Sequence, residues 1–154
     1  IISYLSYIES SYFTNELSIY NAKVINQMQY PRKIYFTDTG FITALSTKFS
    51  KNMGRLFENI VFQKLIKENE TVHYYRDNKD CEVDFVILSE GVATAMYQVC
   101  FDLTDEETQK REIQSLIKAG KTLNCNNLIL LTVEKLDTLK LPKEIKIILV
   151  TEFL

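Results

Sequence analysis

Two nearly continuous apolar segments near the end of the chain place the strongest constraint on its fold. Residues 128–133 read Leu-Ile-Leu-Leu-Thr-Val, and residues 145–150 read Ile-Lys-Ile-Ile-Leu-Val. Runs of this kind are typical of strands buried on both faces of a sheet that helices cover. A helical pattern that carries Ile113, Leu116 and Ile117 precedes them. The order therefore favours an α/β fold.

The segment from Met53 onward adds further elements of the same kind. An apolar stripe with helical spacing begins at Met53. Three strand-like runs follow it, at residues 72–76, 82–88 and 93–101. Turn-forming residues separate these runs, at 78–80 and 90–91. The pattern predicts one helix followed by three strands.

A capping box marks the start of the next predicted helix. Thr104 stands three residues before Glu107, the spacing at which the two side chains can satisfy free backbone groups of a first helical turn. Gly120 is the expected stop, since glycine is common just beyond helix ends. With the two apolar runs, the sequence predicts a mixed sheet flanked by helices over residues 53–154.

Residues 1–47 differ in character from the rest. Apolar side chains from Ile1 to Tyr12 recur with helical spacing. Residues 18–20 and 33–36 are predicted as two short strands around a mostly polar connection, and Asp38 is predicted to cap a short helix. A helix, a two-stranded wing and a short helix resemble the latter part of a winged helix. A simple structural cap on the next domain is an equally weighted alternative.

The domain organisation follows from this contrast. Residues 46–52 are polar apart from Phe49 and are predicted to be a linker. We expect a partial winged-helix segment at 1–47 and an α/β domain at 53–154. The chain begins Ile1-Ile2-Ser3 without a methionine, so we also expect a fragment of a longer protein.

Composition excludes several classes of function. The net charge of −2 provides no global field that would attract nucleic acid. The three cysteines, Cys81, Cys100 and Cys125, are widely separated, and His73 is the only histidine. A disulfide framework or zinc site is therefore not expected, and a cytoplasmic location is the simplest interpretation. No apolar run approaches the roughly 20 residues of a membrane span.

Glu58 is the first candidate functional residue. Val61, Phe62 and Leu65 share its helical face, and a carboxylate among apolar neighbours is costly unless it is paired or binds a cation. The alternative is a carboxylate at the edge of the stripe that pairs with Arg76 or Lys79. For a helical glutamate taken alone, this alternative is favoured.

Asp84 is more unusual, because aspartate is disfavoured inside strands. Period-two alternation predicts Glu82 and Asp84 on one face of the strand and Val83 and Phe85 on the other. Two carboxylates so close repel each other, and a divalent cation would relieve the repulsion. A salt bridge from Asp84 to arginine, at position 76 or 111, is an equally weighted alternative.

Gln98 and Cys100 share a face of the next predicted strand, since they too are two residues apart. An antiparallel neighbour would bring them beside Asp84. Val99 is predicted to point to the opposite side of the sheet.

The combined motifs resemble the PD-(D/E)XK nuclease superfamily, with its restriction-endonuclease-like mixed sheet. They are more similar to the C-terminal nuclease-like domain, with a partial winged-helix segment, found in prokaryotic P-loop ATP-binding proteins of AAA+ type. The resemblance covers nearly the whole chain. The motifs that carry it are residues 31–40, 54–59, 73–76, 82–87, 98–100 and 108–112.

The resemblance implies a catalytic site at Glu58, Asp84 and Gln98. It also implies Mg²⁺ or Mn²⁺ held by Glu58, Asp84 and the Val99 carbonyl. In a working nuclease of this kind position 98 is acidic and position 100 is lysine. Gln98 is a weaker ligand for a hard cation, and Cys100 has no positive charge at neutral pH. We therefore expect the metal to bind weakly or not at all.

Three hypotheses about function follow. The first is a catalytically impaired nuclease-like domain that holds nucleic acid, with DNA as a candidate, or a protein partner for an N-terminal ATPase module. The second is an active magnesium-dependent DNA endonuclease with a displaced lysine. The third is a protein-interaction module whose carboxylates only form salt bridges. The chain has no Gly-x-x-x-x-Gly-Lys-Ser/Thr motif, so no ATP site is expected. No membrane partner is expected, whereas self-association through apolar residues 1–8 is.

Overall fold

A computed structural model describes residues 2–21, 24–45, 53–68, 71–77, 81–103, 105–134 and 142–154. The predicted linker at 46–52, the predicted turn at 78–80 and Thr104 of the predicted capping box lie outside these residues. The elements in chain order are α1 (Ile2–Ser10), β1 (Thr14–Leu17), α2 (Val24–Gln29), β2 (Lys33–Phe36), α3 (Gly40–Leu45), α4 (Met53–Glu68), β3 (Val72–Arg76), β4 (Glu82–Ser89), β5 (Val92–Cys100), α5 (Glu106–Leu123), β6 (Leu128–Thr132), β7 (Ile145–Leu149) and α6 (Val150–Phe153).

The centre of the fold is a five-stranded mixed sheet with strand order β3-β4-β5-β6-β7. The strands β3, β4 and β5 are antiparallel, whereas β6 and β7 continue the sheet in parallel with β5. Phe62 and Leu65 of α4 pack against one face, and Leu116 of α5 packs against the other. The predicted α/β sheet flanked by helices is confirmed. No helix in the described ranges is both long and apolar enough to cross a bilayer.

The two apolar runs that predicted buried parallel strands have different outcomes. Every residue of β6 is buried, as predicted. In β7 only Ile145 is buried, and the other residues are half-buried or exposed. The prediction of burial on both faces is therefore wrong for β7, because this strand lies at the edge of the described sheet.

Strand β4 contains an irregularity at Asp84. His73 pairs with Val86 and Tyr75 pairs with Val83, so two steps along β3 match three steps along β4. This extra residue is a β-bulge, which locally disrupts the alternation of side chains. Val83 therefore packs on the α5 side and Phe85 on the α4 side. The prediction that both share one face is wrong for this reason.

Helix α5 begins and ends later than the sequence predicts. Asp105 is its N-cap, and the Asp105 carboxylate accepts a hydrogen bond from the Thr108 backbone N–H. The helix continues past Gly120 to Leu123, and Asn124 is the left-handed C-cap. Gly120 serves close packing instead, since a Cβ there would lie 2.9 Å from the Cys125 carbonyl oxygen and from a Leu128 methyl carbon.

The N-terminal segment contains the predicted helix, two-stranded unit and short helix, with two differences. β1 lies at Thr14–Leu17, where it pairs with β2, and α2 occupies part of the predicted polar connection. Residues 18–20 were predicted as a strand of this pair. Instead, Ser18 and Tyr20 bond to the backbone of Tyr74 in β3. The segment thus covers the β3 edge of the sheet. An open sheet edge exposes unpaired backbone groups, so native proteins commonly cover it.

The antiparallel strands β1 and β2 form a two-stranded unit whose connection contains α2, and we call this unit the β1–β2 hairpin. The buried side-chain amide of Asn59 attaches it to α4. Asn59, 2% exposed, accepts a bond from the Phe36 N–H at 2.8 Å and donates one to the Phe36 carbonyl at 2.9 Å. Gln63 donates a second bond to this carbonyl at 2.8 Å. Tyr35 stacks on Phe62 with ring centroids 4.1 Å apart. The hairpin and the α/β sheet therefore share one core.

This attachment predicts a large effect of Asn59→Ala. The substitution leaves the part-buried Phe36 N–H without its acceptor, so the free energy of unfolding should fall by about 1–3 kcal/mol. Urea denaturation measures the change. Asn15→Ala is the matched control, because Asn15 makes an exposed bond to Thr37 at 3.3 Å, and its effect should stay within about 0.5 kcal/mol. Equal effects of the two variants would show that Asn59 does not attach the hairpin.

Candidate functional site

The ammonium group of Lys33 lies at the meeting point of three carboxylates. Its Nζ atom is 2.8 Å from an oxygen of Glu82, 3.2 Å from Asp84 Oδ1 and 3.3 Å from Glu58 Oε1. We call Lys33, Glu58, Glu82 and Asp84 the acidic cluster. Lys33 comes from β2, Glu58 from α4, and the other two from β4. The cluster therefore joins the hairpin to both the helix α4 and the strand β4.

The local structure of β2 directs Lys33 into this position. Lys33 and Tyr35 are two residues apart on a strand, so they share a face. Tyr35 is buried, and its hydroxyl donates a hydrogen bond to Glu58 Oε1 at 2.6 Å. The Tyr74 ring lies 5.5 Å from Lys33 Nζ, and the Tyr74 hydroxyl donates to the Pro31 carbonyl at 2.5 Å. Two tyrosines thus orient the strand that supplies the ammonium.

Asp84 is the most buried carboxylate of the cluster. Its Oδ1 accepts from Lys33, and its Oδ2 accepts from the Val99 backbone N–H at 3.0 Å. Burial and the neighbouring Glu58 raise the pKa of Asp84 to about 7, although Lys33 and Val99 oppose the rise. For Lys33, burial lowers the pKa, but Asp84, Glu58 and Glu82 together raise it above its usual value. Lys33 is therefore charged at neutral pH.

The Gln98 side chain contacts the backbone of Asp84 and does not enter the acidic cluster. The Gln98 Oε1 atom accepts from the Asp84 backbone N–H at 3.2 Å, and its Nε2 donates to Glu112 Oε2 at 2.6 Å. Both ends of the amide are thus engaged, one of them by α5. The predicted proximity of Gln98 to Asp84 is present, but the side chain extends to the α5 side of the sheet.

Cys100 also lies on the α5 side, where it is buried with Leu116. Its thiol donates to the Asp102 carbonyl at a sulfur–oxygen distance of 3.3 Å. Burial, followed by the nearby Glu112 carboxylate, raises the pKa of Cys100 to about 12. This position therefore provides a neutral thiol where the resembled nucleases have a cation.

The structure brings together two of the predicted residues, Glu58 and Asp84, around a partner that the sequence analysis missed. Of their predicted arginine partners, Arg76 lies 3.9 Å from Glu82 of the same cluster, and Arg111 bonds to Glu112 at 2.8 Å. The third candidate partner, Lys79, lies outside the described residues. The sequence contained one indication that Lys33 points into the fold, since Lys33 shares a strand face with the aromatic Tyr35. Nothing in the sequence indicated which carboxylates that face meets.

Two cavities open on either side of the cluster, and Glu82 lines both. The larger, about 710 Å³, lies on the α4 side, where Ile34, Phe41 and Arg55 form part of its wall. The smaller, about 360 Å³, lies on the α5 side. Its lining residues are Arg76, Glu82, Asp84, Gln98, Arg111, Glu112 and Ser115.

The side chains as they stand do not fit the divalent cation that the resemblance implies. The described ranges contain no group of three or more His, Cys, Asp or Glu residues arranged to hold a metal ion. The carboxylates of Glu58 and Asp84 converge on an ammonium instead. Val99 meets Asp84 through its N–H group, and the role of its carbonyl as a ligand stays a prediction.

Comparison with known proteins adds a family and a relative. Residues 53–151 match the model of a family described as a domain of unknown function (DUF4143). An uncharacterized protein from Methanocaldococcus jannaschii is 37% identical over 131 residues, which are 82% of this chain and 28% of the relative. The chain thus spans little more than a quarter of the curated relative that it matches. No solved structure matches the chain. The family match begins at α4 and leaves Lys33 outside it.

The raised pKa of Asp84 predicts a specific pH dependence of stability. Since the folded protein holds this proton more tightly than the unfolded chain, whose aspartate pKa is near 3.8, stability falls as pH rises from about 4 to 7. Asp84→Asn removes this contribution. The free energy of unfolding of the wild type relative to the variant should fall by up to about 1.4 kcal/mol per pH unit in this window.

Urea unfolding at a series of pH values measures this difference, and Asp105→Asn is the control with the opposite sign. Hydrogen bonds from Thr108 lower the pKa of Asp105, so its contribution is lost as pH falls. A wild-type-minus-Asp84→Asn difference that stays constant from pH 4 to 7 would contradict the prediction.

Proposed function

Since the chain belongs to the DUF4143 family, whose description names no activity, we propose its function from the site. We propose that it is the C-terminal, nuclease-like domain of a longer prokaryotic P-loop ATP-binding protein of AAA+ type. In this role it binds nucleic acid and does not cleave it. The relative is much longer than the aligned segment, which leaves room for an ATPase module.

The order and placement of elements support the nuclease-like assignment. A helix that carries Glu58 precedes three antiparallel strands, and Asp84 stands near the start of the second of them. Both carboxylates reach one point in space. This is the relation that the resemblance to restriction-endonuclease-like folds implies for an acidic pair.

The proposed absence of cleavage is carried first by the Lys33 ammonium among the carboxylates and then by the side chain at position 100. Phosphodiester hydrolysis in such a site uses a metal held by carboxylates and a separate cation for the developing negative charge. Here the carboxylates hold an internal cation. The position expected to supply the separate cation holds the neutral thiol of Cys100. Neither requirement is met by the present arrangement.

Nucleic acid is the proposed ligand because arginines stand at both cavities. The side chains of Arg76 and Arg111 are more than half exposed and line the smaller cavity. Arg55 is exposed and lines the larger one. Arginine suits phosphate contacts through its planar fork of donors. With a net charge of −2, such contacts would be local.

The position of Lys33 also favours a second candidate function, an active magnesium-dependent DNA endonuclease. In that case Lys33 would be the displaced lysine, since it lies within 3.3 Å of both Glu58 and Asp84. We place this second because the same ammonium occupies the carboxylates on which metal binding depends.

DNA binding and cleavage measured together test the proposal. We expect plasmid and branched DNA to bind with an affinity that decreases as salt increases, and to stay intact with Mg²⁺ or Mn²⁺. Arg111→Ala should lower the slope of log affinity against log salt by about 1. Arg32→Ala is the matched control, because Arg32 is similarly exposed but pairs with Glu16, away from both cavities. Its slope should not change.

Two outcomes would contradict this proposal in different ways. Cleavage that both Asp84→Ala and Lys33→Ala abolish would establish the active endonuclease. Absence of binding at low salt would favour a protein-interaction module, whose carboxylates serve only as salt-bridge partners.

A further inference from the structure

We infer that the larger cavity takes an unpaired nucleobase, so that the nucleic acid bound by this chain is single-stranded where it enters the site. The inference rests on the proposed nucleic-acid binding and deepens it, since it names the form of the ligand and the side chains that recognise it. Phe41 is the stacking partner of the base, and Arg55 is the partner of the adjoining phosphate.

The larger cavity has the size and the mixed lining of a small-molecule site. Its volume of about 710 Å³ lies within the roughly 300–1,000 Å³ that is usual for such sites. Its apolar lining comes from β2 and α3 and includes Ile34, Phe36, Phe41 and Ile42. Ile34 and Phe41 remain 44% and 38% exposed. A planar ring that entered the cavity would cover part of this apolar surface, which is favourable.

Phe41 is held in place by other aromatic rings. Its ring centroid lies 4.3 Å from that of Phe13 and 6.3 Å from that of Phe36. Phe13 in turn meets Phe36 edge-on, with centroids 5.6 Å apart. These contacts position the Phe41 ring from the protein side while part of it stays exposed at the cavity. A ring fixed in this way offers a preorganised surface on which any base can stack.

The charges around the cavity determine which part of a nucleotide enters it. Glu58 and Glu82 line the cavity together with Lys33, whose ammonium contacts both carboxylates. A phosphate placed beside them would meet two like charges, which is unfavourable. Arg55 is exposed one helical turn before Glu58 on α4 and lines the same cavity. The phosphate therefore belongs at Arg55, and the uncharged base is the part that fits inside.

A paired base cannot use this lining. In a duplex the bases are stacked on one another, and the protein meets phosphates and the edges of bases in the grooves. A single strand exposes the flat faces of its bases, and these faces stack on aromatic side chains. The exposed part of Phe41 is therefore useful to a single strand and of no use to a duplex.

Fluorescence anisotropy with three labelled probes tests the inference. The probes are a short mixed-sequence oligodeoxynucleotide, an abasic strand with the same number of phosphates, and a duplex of the same length. The wild type should bind the base-containing strand about fivefold or more tightly than the abasic strand. Phe41→Ala should remove most of this difference and leave the affinity for the abasic strand and for the duplex unchanged.

Two further variants separate stacking from other effects. Phe101→Ala is the matched control, because Phe101 is 39% exposed and stacks on Phe57 but, within the described ranges, lines neither cavity. It should keep the wild-type preference for bases. Arg55→Ala should weaken binding of the base-containing and abasic strands by the same factor, since both strands carry phosphates.

Phe41→Leu and a fluorescent base provide a second readout if Phe41→Ala does not fold. Leucine keeps an apolar side chain against Phe13 and removes the aromatic ring. A single 2-aminopurine between abasic residues should lose fluorescence when the wild type binds it and keep its fluorescence when Phe41→Leu binds it. Equal quenching by the two proteins would overturn the assignment of Phe41.

The inference and the proposed function fail on different observations. If the wild type binds the base-containing and abasic strands equally, the inference is overturned and nucleic-acid binding stands. If the wild type binds none of the three probes at low salt, nucleic-acid binding itself is refuted, and the inference falls with it. The wild-type comparison needs no variant, so it decides the matter whether or not the substitutions fold.

Discussion

The contact between one ammonium and three carboxylates is the interaction on which this structure depends. Asp84 is buried inside a strand, and Glu58 faces the same point from α4. Buried carboxylates need a compensating charge, because the cost of removing them from water is several kcal/mol per ion. Lys33 supplies that charge from a segment remote in sequence. The N-terminal hairpin is thereby part of the same folded unit as the sheet.

The side chains at positions 98 and 100 agree with the contacts around them. Gln98 donates to Glu112 at 2.6 Å, so a glutamate in its place would put two carboxylates in contact. Cys100 is buried beside the same acidic residue and bonds to a backbone carbonyl. The α5 side of the sheet is therefore built around a neutral amide and a neutral thiol. The cation of the site, Lys33, lies instead on the α4 side of the sheet, where it contacts Glu58.

Local patterns predicted most of the fold, because they report local physics. The apolar runs and the stripe of α4 identified the strands and helices of the sheet, and the sequence suggested that Glu58 and Asp84 meet. The exposed edge position of β7, the bulge at Asp84 and the pairing of residues 18–20 with β3 depend on which strands are neighbours. Single-sequence periodicity contains no such information. Lys33 was missed for the same reason, since its three partners lie 25 or more residues away.

The most direct test of the central claim is an NMR measurement of the Lys33 ammonium in ¹⁵N-lysine-labelled protein at neutral pH. We predict a slowly exchanging Nζ signal, assigned by its loss in Lys33→Met, with couplings across hydrogen bonds to the carboxyl carbons of Glu82 and Asp84. Exposed lysines, such as Lys121, serve as the reference for fast exchange. A Lys33 ammonium that exchanges as fast as this reference, without such couplings, would contradict the account.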